Sequence, residues 1–167
     1  MHTRDPSGIM LATLLTAILM AAVRPAQARV GQAEVREGPR GGPCFTISPR
    51  EERLGTSDFQ AVSVSDGRRQ LWTMRMPPGR SFPLSFSMCV PYGGRVAALP
   101  RSASAALEAG RVYTLHIDAR PRSHAAAPSY EARFCLARQR DGSLLVHQIV
   151  SSDRESHRLY GCLPPEE

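Results

Sequence analysis

The sequence predicts an all-β protein, a Greek-key sandwich of the immunoglobulin or fibronectin type built from about eight short strands. Three observations point that way. Apolar and polar residues alternate in short runs, as they must in strands that bury one face. Two of the breaks between runs are Asp-Gly pairs, Asp66-Gly67 and Asp141-Gly142, the strongest short-range hairpin signal. The third is Leu107-Glu-Ala-Gly110-Arg-Val-Tyr113 followed by the alternating run Thr114 to Asp118. This is the pattern of a tyrosine corner, in which a strand-opening tyrosine bonds back to backbone a few residues upstream. Gly110 suits the turn, where a Cβ would clash.

Taken in order, residues 1–28 read as an export signal. The apolar run Ile9 to Val23 falls short of the roughly 20 residues that span a bilayer, and Ala26-Gln27-Ala28 supplies a small-residue cleavage site. Residues 29–42, rich in Gly, Arg and Glu, read as a flexible leader. The sandwich domain is expected over 43–162, with 163–167 as a tail. Pro43 to Ile47 opens it as a strand, and Phe59 to Ser65 and Gln70 to Met76 form the first hairpin. Pro77-Pro78-Gly79 ends the second arm because proline cannot donate to a ladder. Phe82, Leu84, Phe86, Met88 and Val90 alternate through the clearest half-buried strand. Pro91-Tyr92-Gly93-Gly94 makes a turn, Val96 to Leu99 a short strand, and Arg101 to Leu107 a crossing segment with room for one helical turn. The Tyr113 strand follows, then an exposed loop over 120–129. Tyr130, Ala132, Phe134 and Leu136 alternate into the second hairpin, whose other arm is Leu144 to Val146.

The basic residues are all arginine, 21 of them. Removing the first 28 residues leaves 19 arginines against 14 acids, a charge of +5, which favours acidic partners and steers their approach. The arginines are scattered and no aromatic-rich strand accompanies them, so nucleic acid is not the expected partner. Four cysteines, Cys44, Cys89, Cys135 and Cys162, make an even set in an exported chain, which predicts two disulfides. Parity turns Cys44, Cys89 and Cys135 away from Phe45, Met88 and Phe134, and leaves the three pairings open.

No serine sits in a nucleophile elbow or opposite a His and a carboxylate, so a hydrolase is not expected. His116 and Asp118 share a strand face and would need His147 or His157 to hold a metal. Met74, Met76, Met88 and Cys89 would suit soft Cu(I), but the ligand loop of a copper protein is missing and core packing accounts for them. Neither a metal nor a cofactor is expected. Glu51-Glu52 and Glu166-Glu167 read as solvated charge in loop and tail.

The ordered set Pro43-Cys44-Phe45-Thr46, Cys89-Val90-Pro91-Tyr92-Gly93, Leu107-x-x-Gly110-x-x-Tyr113 and Tyr130-x-Ala132-x-Phe134-Cys135-Leu136 resembles the periplasmic immunity proteins of type VI secretion systems, over about residues 43 to 150. The resemblance implies a small β-rich protein that binds and neutralises a toxin delivered into the periplasm, with no catalytic residues. Many such proteins are lipoproteins; this chain has no cysteine near position 28. Tyr92 in its turn and Arg120 and Arg122 in the long loop are the expected partner-binding residues, since interface energy concentrates in aromatic and arginine anchors. The alternatives are an envelope module that binds glycan or an assembly partner, and a copper-handling periplasmic protein.

Overall fold

The computed structural model describes residues 29–39, 41–94, 99–150 and 162. The strands are β1 (Val30–Glu37), β2 (Pro43–Ile47), β3 (Ser57–Asp66), β4 (Arg69–Arg75), β5 (Phe82–Pro83), β6 (Val90–Pro91), β7 (Val112–Pro121), β8 (Ser129–Arg138) and β9 (Leu144–Ile149), with one short helix, α1 (Pro49–Leu54). The protein is all-β. Its strands form one curled, half-barrel sheet in the order β4-β3-β7-β8-β1-β2-β6, with β5 added beside β3 and β9 beside β8.

β1 is the joint of this sheet. Val30 to Gln32 run parallel to Ser129 to Glu131 of β8, and Ala33 to Glu37 then pair antiparallel with β2. Where β1 leaves β8, the Gln148 side chain takes over the missing ladder. Its Oε1 accepts from the Val35 N–H at 2.6 Å and its Nε2 donates to the Ala33 carbonyl at 3.3 Å. The β1-β2-β6 portion is thereby brought against the rest: the Phe45 ring of β2 lies 6.2 Å from Trp72 of β4 and 5.7 Å from Phe134 of β8.

The flexible leader expected over residues 29–42 is therefore corrected to a strand over most of its length. Its inward positions are Gly31, Ala33 and Val35, all buried, and the glycine at the first of them interrupts the apolar alternation that would mark a strand. Gly31 is small because the space beside it is taken. A Cβ on Gly31 would sit 2.6 Å from Cε1 of the buried Tyr130 ring and 2.8 Å from Glu51 Oε2.

Four further expectations change. The strand expected from Phe82 to Val90 exists only at its two ends, as β5 and β6. Between them the chain turns at Ser85–Met88 and is held by side chains: Arg36 donates to the Phe86 and Met88 carbonyls, Thr46 Oγ1 donates to Ser85 O at 2.6 Å, and Phe86 N–H donates to Glu52. Alternation fails here because the segment passes from the edge of β3 to the edge of β2. Residues 101–107 contain no helical turn. They run along the outer edge of β4, bonding to Leu71 and Thr73, and so cover an edge that would otherwise be open. The expected loop 120–129 is shorter, because β7 continues to Pro121 and β8 begins at Ser129; Ala126 and Ala127 are buried. Glu51 and Glu52 lie on α1, which Ser48 caps and Pro49 opens, the signature of a helix start. The expected signal (1–28), the strand Val96 to Leu99 and the tail 163–167 lie outside the described residues, wholly or nearly so.

Both hairpins form. In the first, Gly67 (φ +55°) and Arg68 join β3 to β4, and a bulge at Leu71 turns both Leu71 and Trp72 into the core. In the second, Asp141 and Gly142 close the loop between β8 and β9. The main core gathers Phe45, Phe59, Trp72, Tyr113, Leu115, Ile117, Tyr130 and Phe134. A second, smaller cluster lies on the opposite face of β8 and comprises Val112, Cys135, Ala137, Ile149 and Cys162.

Candidate partner-binding site

The tyrosine corner supplies rigidity. Tyr113 is buried, its hydroxyl accepting from the Glu108 N–H at 2.7 Å and donating to the Glu108 carbonyl at 3.3 Å. Gly110 beside it has φ +83°, and Leu107 packs on the core. Cys44 is bonded to Cys89 and Cys135 to Cys162, and no described cysteine is free. The first bridge ties the bent 84–89 segment to β2, and the second ties residue 162 to β8. Disulfides of this kind place the chain in an oxidising compartment. No described helix is long and apolar enough to cross a membrane.

Cys89 is thus held in a disulfide rather than as a thiolate, Met74 is buried, and Met76 and Met88 pack against the core. The soft-metal ligand set does not assemble. His116 also has its ring nitrogens engaged, Nε2 with Asp118 at 2.9 Å and Nδ1 with Glu131 at 3.1 Å. Burial alone would lower the imidazole, but the bonds to Asp118 and Glu131 outweigh it and raise the pKa above its ordinary value. His147 faces Cys135, about 13 Å further along β8 than Glu131 at the usual rise per residue. His157 lies outside the described residues. Among the described residues, no three His, Cys, Asp or Glu side chains are grouped to hold a metal ion.

Arg120 and Arg122 are held at the far end of β7 by a residue that sequence reasoning missed. Asp58 of β3 is buried, yet its carboxylate receives Arg122 Nε at 2.7 Å, Arg120 Nη2 at 3.6 Å and the Ser81 hydroxyl at 3.2 Å. Burial pushes this carboxyl up, and the hydrogen bond and charge of Arg122, with Ser81 and Arg120, more than reverse that and leave it below the usual range. The arginines are 64% and 56% exposed. Two cations sharing one anion leave one positive charge in excess at the surface. Arg120 is the looser of the two and also donates to Ser81 Oγ at 3.2 Å.

Tyr92 differs from the exposed anchor expected of it. Its ring is half-buried, 5.4 Å from Trp72 and 6.4 Å from Phe45, and its hydroxyl donates to the Ala105 carbonyl at 2.7 Å. Tyr92 packs the turn onto the core with part of its ring still at the surface. The three candidates therefore do not form one surface patch by their own contacts: Arg120 and Arg122 share Asp58, whereas Tyr92 belongs to the Trp72–Phe45 cluster.

Next to the arginine pair lies a notch of about 320 Å³ lined by Gln60, Ala61, Arg75, Met76, Pro77, Pro78, Gly79 and Asp118. Gln60 is the extra residue of a bulge in β3 against β7, and bulges re-aim the side chains beside them. Nothing in the alternation pattern marks it. No family model, curated protein or solved structure matches the chain.

Proposed function

We propose that this chain is a periplasmic immunity protein of the type VI secretion kind, exported by residues 1–28, that binds and neutralises a protein toxin and performs no chemistry of its own. The observation that carries the reading is the arginine pair over Asp58. It offers an excess cation on a side chain whose neighbours are already fixed, so little ordering remains to be done on binding. Arginine at such a place pairs bidentately with carboxylates. The scaffold beneath suits an inhibitor, since two disulfides and the Tyr113 corner hold the loops in place. We read that scaffold as a Greek-key sandwich, on the strength of the Phe45 contacts with Trp72 and Phe134. The motif resemblance set out above supplies the partner class.

Calorimetric titration of the purified protein with the toxin encoded beside its gene tests the reading. Binding is expected to weaken at least tenfold in Arg120→Ala, Arg122→Ala and to fall as salt rises. Binding of a polysaccharide in place of the toxin would replace this reading with that of an envelope module.

A further inference from the structure

We infer that the notch beside the arginine pair seats a single aromatic anchor, a tyrosine flanked by acidic residues, from a protein partner. The floor is Ala61, which pairs with Arg75 of β4 on one side and Asp118 of β7 on the other. Those two residues stand on the same sheet face, with Cα atoms roughly 10 Å apart across two strand spacings. The small methyl between them leaves the gap. One wall is apolar, made of Met76 and the Pro77-Pro78-Gly79 turn. A ring laid there meets proline faces and a thioether, both favourable aromatic neighbours.

The polar groups at the rim suit a phenol better than a charge. Arg75 is exposed and makes no ion pair with a described residue, and among the described residues the Asp118 carboxylate is engaged only by His116. A guanidinium anchor would be repelled by Arg75, and a carboxylate by Asp118 with Glu131 behind it. A hydroxyl accepts from the first and donates to the second. At 320 Å³ the notch is at the lower end of small-molecule sites and is open to solvent, which fits one side chain of a larger interface. Hot spots of that kind are enriched in tyrosine. Arg120 follows Asp118 by two residues on the same strand face, about 7 Å away, so acids next to the tyrosine would reach Arg120 and Arg122. This inference rests on the protein-binding reading for its partner class.

The notch can be tested without the toxin. Backbone-amide NMR of the full protein is followed while three capped tetrapeptides are titrated: Glu-Glu-Tyr-Glu, Ser-Ser-Tyr-Ser and Glu-Glu-Leu-Glu. The acidic tyrosine peptide should give saturable shifts at Ala61, Met76, Gly79 and Asp118, at a several-fold lower half-saturation than either of the others. Arg75→Ala should raise that value several-fold, and Arg120→Ala, Arg122→Ala should remove only the advantage of the acidic flanks. Equal response to tyrosine and leucine peptides, or shifts confined elsewhere, would overturn the inference. Toxin binding unaffected by Arg75→Ala would overturn it too while leaving the immunity reading intact; wild type failing to bind the toxin sinks the immunity reading instead.

Discussion

Replacing Gly31 with alanine is the sharpest probe of the fold, because it adds one methyl at the joint of the sheet. The new Cβ would lie 2.6 Å from Tyr130 Cε1 and 2.8 Å from Glu51 Oε2, well inside van der Waals contact. Neither neighbour can yield freely. The Tyr130 hydroxyl is bonded to Ser57 Oγ at 2.9 Å in a buried site, and Arg29 holds Glu51 at 2.8 Å. Overpacking of this sort costs about 1–3 kcal/mol, and a strained Tyr130–Ser57 bond adds up to about 1 kcal/mol. Alanine also restricts the unfolded chain, which returns about 0.4–1 kcal/mol. The net loss should be about 1–3 kcal/mol, a fall of roughly 4–12 °C in Tm for a domain of this size. Gly38 is the matched control, since its Cβ would meet Cys44 Cβ at 3.4 Å and the Gly42 and Gly41 carbonyl oxygens at 3.5 and 3.8 Å, all ordinary contacts. Thermal and urea melts of both variants with disulfides intact decide the matter. If Gly31→Ala melts with the wild type, β1 is not packed as described.

Tyr113→Phe should cost on the order of 1 kcal/mol and Tyr113→Ala about 3–5 kcal/mol, read from urea midpoints, since the first loses the Glu108 bonds and the second the ring as well. Asp58 has a depressed carboxyl pKa, so its stabilisation is present above the ordinary Asp value of about 3.9 and is lost as pH falls through the lower folded value. Asp58→Asn should therefore flatten the acid limb of a stability–pH curve while lowering stability at pH 7. Selective loss of the Cys135–Cys162 bridge, which closes a separation of 27 residues, should cost about 3.5 kcal/mol on the chain-entropy account, measured with Cys135→Ser, Cys162→Ser.

Much of the fold was legible because large apolar side chains announce themselves. Val62 and Val64 against Trp72 and Met74, and Tyr130 to Leu136 after the Tyr113 strand, alternate strongly enough to give two hairpins and a corner. The same rule misread β1, whose inward residues are Gly31, Ala33 and Val35, with Gly31 pressed against Tyr130 and Glu51. It also overread Phe82 to Val90, where alternating hydrophobics serve a bent crossing held by Arg36 and Thr46. At the site, Arg120 and Arg122 could be named from composition and position. Asp58 could not: a lone acid before Phe59 gives no sign that two arginines 62 and 64 positions on will close over it. Tyr92 looked like an exposed turn residue because its partners, Trp72 and Ala105, are distant in sequence on either side.

Growth of cells that export the neighbouring toxin to the periplasm tests the immunity function most directly. Cells that also export this protein should grow as if no toxin were made, and cells with Arg120→Ala, Arg122→Ala, folded and present at the same level, should be killed. Killing at the same rate with and without the folded wild-type protein would contradict the proposed function.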